Sequence, residues 1–146
     1  MTMHRRPVGR ARLLAALSAV VILAGCLLPW WGVGGNDSLP ELSGNAFDGF
    51  GIVVFVVALA TIALVTLPYA TDRPVGFDRW PAYAILAVVG WLAFAIRLVD
   101  LIAIRAFQLE QPIEVVTRSP GLWVTGIGLA MLARAAFDLY HEPPRY

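Results

Sequence analysis

Four long apolar runs dominate the chain and leave it few ways to fold. A bilayer core of about 30 Å needs roughly 20 mostly apolar residues in a helix that rises about 1.5 Å per residue. Runs of this kind lie at about 13–31, 50–69, 80–104 and 122–140. The first two hold no charged residue, the third carries Arg97 and Asp100, and the fourth carries Arg134 and Asp138. None alternates as a barrel strand would, and within hydrocarbon only helices and closed barrels satisfy the backbone. The expected fold is an all-α membrane protein, a four-transmembrane-helix bundle forming one integral membrane domain over residues 1–146.

Composition fits that solvent. Charged residues make up 14% of the 146, against roughly 25% in an ordinary soluble domain, while 59% are hydrophobic. All eleven basic residues are arginine, a usage that suits a GC-rich bacterial genome. A net charge of +1 and the lack of a domain with a clustered basic surface argue against a nucleic-acid partner. The one cysteine allows no intrachain disulfide.

Arginine placement predicts orientation. The tail before the first run carries Arg5, Arg6, Arg10 and Arg12 and no acid, whereas the following loop at about 32–49 carries Asp37, Glu41 and Asp48 and no base. Cytoplasmic segments are enriched in Lys and Arg, so both termini are expected in the cytoplasm. The loops at about 32–49 and 105–121 then lie outside and the turn at about 70–79 inside. Trp30, Trp31, Tyr69, Trp80, Trp123 and Tyr140 stand near the run ends, where amphipathic rings suit headgroups.

A competing reading begins at Leu23-Ala24-Gly25-Cys26, which matches the lipobox of a cleaved lipoprotein, with Cys26 as the lipidated residue. A signal peptide has an apolar segment of about 7–15 residues. Here the apolar run continues through Leu27-Leu28-Pro29-Trp30-Trp31 to spanning length, and three further runs follow. An uncut first span, with Cys26 as a small packing residue, is the favoured expectation.

Leu28, Pro29 and Trp30 at the close of the first run, with Ser43, Gly44, Gly49 and Gly51 at the entry to the second, carry a resemblance. The chain resembles a loose group of small, uncharacterised bacterial four-helix membrane proteins that share an L-P-W end to helix one and an S-G…G entry to helix two. The resemblance covers about the first half of the chain. It implies a four-helix membrane fold and transfers no catalytic residue. In physical terms, Pro29 stops the first helix, the Trp pair anchors that end in headgroups, and Asp48 is placed to cap the second helix.

Ionisable residues inside spans are where function is sought first. Arg97 and Asp100 are three apart and share a helical face with Tyr83, Gly90 and Ala93. Gly126, Ala130, Arg134 and Asp138 follow at intervals of four. Small residues permit close helix approach, so both charged faces are expected to point into the bundle. Arg97 falls about 25 Å along its outward-running helix and Arg134 about 18 Å along its inward-running one, so the two couples sit at different levels. The plainer reading is local pairs whose charges snorkel to an interface. The functional reading is a polar groove for an anionic lipid or a partner helix.

Nothing else carries chemistry. His4 and His141 lie in opposite tails and Cys26 stands alone, which gives no metal set. No nucleophile–base–acid set is visible and no cofactor motif is present. Phe107, Leu109, Ile113, Val115 and Val116 in the third loop suggest an interfacial segment or small cap. The expected function is that of a non-enzymatic accessory or structural subunit of the bacterial inner membrane. Its expected partners are the lipid bilayer and another membrane protein or a second copy. The alternatives are a small transporter or channel component using the Arg/Asp pairs, and a lipoprotein cleaved at Cys26.

Overall fold

The computed structural model describes residues 8–35, 39–71, 76, 79–104 and 117–143. Four α-helices make up its body: α1 (Arg10–Leu27), α2 (Gly51–Ala70), α3 (Trp80–Ala103) and α4 (Pro120–His141). Each is long and apolar enough to cross a membrane. The N-terminal arginines Arg5 and Arg6 and the segment 105–116, with its expected cap, lie outside the described residues.

The helices form a ring in which each packs on its neighbours in sequence and α1 closes against α4. This is the up-down-up-down order that short connections favour. At one end, which we call the termini end, Arg12 of α1 pairs with Glu142 at 3.9 Å. There the rings of Trp80 and Tyr140 also meet edge to face at 4.9 Å, tying the start of α3 to the end of α4.

The α1–α4 contact is the most intimate of the four. The buried face of α1 is built largely from Ala11, Ala15, Ser18, Ala19 and Gly25, with Ile22 the one large aliphatic among them. It meets Gly121, Thr125 and Gly128 on α4. A Cβ added to Gly25 would lie 2.7 Å from the backbone nitrogen of Thr125. One added to Gly128 would lie 2.6 Å from Ile22 Cγ1 and 3.0 Å from the Ile22 backbone nitrogen. Side chains this small let two helix backbones come together and gain dispersion contacts without any hydrophobic drive between them.

Helix α1 stops four residues before the apolar run does. The residue before a proline is pushed out of the helical region, and Leu28 accordingly is extended at φ −78°, ψ 156°. Trp30 and Trp31 therefore leave the helix. Trp31–Val33 forms strand β1, which pairs antiparallel with β2 (Leu42–Gly44), with Trp31 opposite Gly44. Gly34 and Gly35, both at φ 84°, take the left-handed backbone that carries the chain out of β1. A 3-10 turn, Ala46–Asp48, leads into α2. Asp48 does not cap α2. Its Oδ2 accepts from the Asn45 backbone N–H at 3.0 Å while Asn45 Oδ1 accepts from Phe47 N–H at 3.1 Å, so the two close a capping box on the 3-10 turn.

Close approach at α1–α4 makes a sharp prediction. Gly128→Leu should cost about 1–3 kcal/mol or more through overpacking. Gly126→Leu, where the nearest atom to an added Cβ is Phe94 Cζ at 3.8 Å, should be tolerated. Thermal unfolding of the two variants in the same detergent, followed by circular dichroism, checks the contrast.

Candidate functional site

Arg97, Asp100, Arg134 and Asp138 do not form one site. On α3, Tyr83, Ala87, Gly90, Ala93, Arg97 and Leu101 make the buried face, so the spacing of Arg97 with Tyr83, Gly90 and Ala93 does turn it inward. Arg97 keeps 5% of its surface. Its Nη1 donates to Asp100 Oδ2 at 2.5 Å, and Asp100 itself is 51% exposed. The guanidinium lies flat against Gly49, where an added Cβ would come within 3.0 Å of Nη1 and 3.1 Å of Cζ. Arg97 Nε is withdrawn from solvent and has no acceptor.

On α4 the expectation fails. Arg134 is 68% exposed, and its Nε donates to Asp138 Oδ1 at 3.1 Å on the outer surface. Ala130 is exposed too, and Gly126 only partly covered. The buried face is offset by about one residue and runs through Leu122, Thr125, Gly128, Leu129, Leu132 and Ala135. Two small-residue stripes compete on this helix, and the one headed by Gly121 and Gly128 wins because it meets the small face of α1. The Arg134 guanidinium also sits 5.8 Å from the Phe137 ring centre, and His141 packs on Phe137 at 4.3 Å.

Trp30 corrects a second expectation. It is fully buried and anchors nothing at a surface. Its Nε1 donates to Gly25 O at 2.9 Å, a carbonyl of the last turn that the helix itself leaves open. Its ring meets Phe94 edge to face at 5.7 Å. Beside it, Trp30 N–H donates to Gly44 O at 2.7 Å and Gly121 N–H donates to Pro29 O at 2.9 Å. Tyr69, Trp80, Trp123 and Tyr140 are exposed, between 43% and 57%, as ring anchors near helix ends should be. Cys26 is fully buried in α1.

At the opposite end, where the paired strands β1 and β2 form a short ribbon, Leu27, Pro29, Ser43, Gly44, Asn45 and Asp48 line an open cleft of about 230 Å³. Arg118 Nη1 donates to Gly34 O at 3.1 Å and so ties the approach to α4 onto the ribbon. Among the described residues no three His, Cys, Asp or Glu side chains gather in a way that could hold a metal ion. No family model, no curated protein and no solved structure matches the chain.

The two Arg–Asp couples should respond differently to loss of the acid. Asp100→Asn strands a buried guanidinium and should destabilise by about 1–3 kcal/mol, less than the full cost of breaking a wholly buried pair because Asp100 is half-exposed. Asp138→Asn leaves an exposed arginine free to reorient and should cost below about 1 kcal/mol. Unfolding temperatures of the two variants decide it. Intact-mass measurement of the membrane-extracted protein should return a chain that still contains residues 10–25. Loss of everything before Cys26 with added acyl mass would establish the lipoprotein reading instead.

Proposed function

We propose that this protein is a multi-pass component of a bacterial inner membrane with both termini in the cytoplasm, acting as a non-enzymatic accessory or structural subunit. Support for the orientation comes from the arginines of the N-terminal tail set against the acidic loop that contains Glu41 and Asp48. The outer faces of all four helices present large apolar side chains such as Leu17, Val56, Ile85 and Ile127, which suits a lipid surround.

One observation carries the functional part. The Arg134–Asp138 pair faces outward, below Gly126 and Ala130 on the same stripe. Arg134 lies about 10 Å from the end of α4, so in a bilayer its charge must snorkel or find a polar neighbour. Small residues above a charge pair suit the close approach of another helix. The working surface is then the outward face of α4, and its partner is another membrane protein or a second copy. A transporter built on both couples is less well supported, because Arg97 turns into the bundle and Arg134 away from it.

The test is assembly. In mild detergent the wild-type chain should migrate as a larger complex on a native gel. The Arg134→Leu/Asp138→Leu double variant should migrate as the smaller species with its unfolding temperature nearly unchanged. Identical migration would sink the α4 reading, and an intact complex that has lost only an ion or solute flux would favour the transporter.

A further inference from the structure

The two ends of the bundle differ in charge. Because the helices alternate in direction, the starts of α1 and α3 and the ends of α2 and α4 share the termini end. By sequence position that end holds eight of the eleven arginines and four of the ten acids, a net charge of +4. The ribbon end holds the other three arginines and six acids, a net charge of −3. At the termini end, Arg12 pairs with Glu142 at 3.9 Å and Arg134 with Asp138 at 3.1 Å, which uses two of the acids. Asp72 and Asp78 are then left against six arginines. Two of those six, Arg10 and Arg79, are exposed, and neither has a carboxylate partner among the described residues.

Aromatic rings mark the depth of this charge. Tyr69, Trp80 and Tyr140 are each about half-exposed at the same end, and such rings settle at headgroup level. Arg79 directly precedes Trp80, and Arg10 opens α1. The unanswered charge therefore lies at the level of lipid phosphates, which favours a lipid partner over an acidic protein or RNA.

We propose that the termini end is a contact surface for anionic phospholipid headgroups, gathered around α1 and α3 in preference to neutral ones. Four to eight basic residues beside a membrane-spanning helix draw acidic lipids electrostatically, and the six arginines left here fall in that range. Arginine adds paired N–H donors that match phosphate oxygens. The acidic ribbon end repels the same lipids, so enrichment is confined to one leaflet. The inference rests on the bilayer placement proposed above and is independent of the α4 contact.

The experiment reconstitutes the full chain in phosphatidylcholine vesicles and titrates in brominated phosphatidylglycerol or brominated phosphatidylcholine, which quench tryptophan on contact. The ratio of the two midpoints gives the lipid preference. Wild type should prefer phosphatidylglycerol by about fivefold, and about 0.5 M salt should reduce that preference by screening exposed charges. Arg10→Gln/Arg79→Gln, two exposed substitutions, should lose at least about half of it. Arg105→Gln, which removes an arginine from the ribbon end, should change it far less. Equal midpoints for the two lipids in wild type, or an equal loss from Arg105→Gln, would overturn the proposal. Binding of polyglutamate by the same vesicles without any lipid preference would assign the surface to an acidic protein and overturn it too. Membrane fractionation and native-gel migration of the same protein report separately on the bilayer placement and the α4 contact.

Discussion

The rest of the bundle hangs on a corner that Pro29 creates. Because a residue before proline cannot stay helical at low cost, the chain leaves α1 at Leu28 and swings Trp30 back over the helix end. The indole then donates to Gly25 O, which would otherwise be an open last-turn carbonyl. Its ring reaches Phe94 on α3 and the backbone of Gly121 on α4. The flanking peptides bond to Gly121 and Gly44. Three helices and the ribbon are joined at one point, and Gly25 and Gly121 are small because an indole and a neighbouring backbone occupy the space. A chain lacking residues before Cys26 would lose both the Gly25 acceptor and the α1 face that α4 packs on. The tight α1–α4 seam therefore depends on the part of α1 that precedes Cys26.

Helix number and approximate span were legible because length and apolarity are direct requirements of a bilayer, and the described helices start and end within a few residues of the expected runs. The inward turn of Arg97 was legible as well, since α3 has a single face of small and aromatic residues that includes Tyr83, Gly90 and Ala93. The direction of Arg134 was not. In a water-soluble helix, polarity contrast separates inside from outside; here both sides of α4 are apolar and small residues occur on each. Only the shape of α1 decides between them, and that is tertiary information. The ribbon escaped notice for a different reason. Its strands are three residues each, too short for a period of two to register, so the turn residues Gly34-Gly35-Asn36-Asp37-Ser38 between them read only as a loop. Trp30 departs from the rule that aromatic residues near a helix end are headgroup anchors, because Pro29 one residue earlier redirects it inward.

Two arginine–aspartate couples of nearly equal spacing end up with opposite physical character. Arg97 is confined by Gly49 and held by Asp100, so few rotamers are open to it. Arg134 is largely exposed, held only by Asp138 and the neighbouring Phe137 ring. An exposed charge paired with its own acid suits an adaptable contact, because separating Arg134 from Asp138 to pair across a boundary costs the fold little. The bundle thus divides its ion pairs by burial: Arg97 is enclosed against Gly49, whereas Arg134 and Asp138 meet on the outer surface of α4.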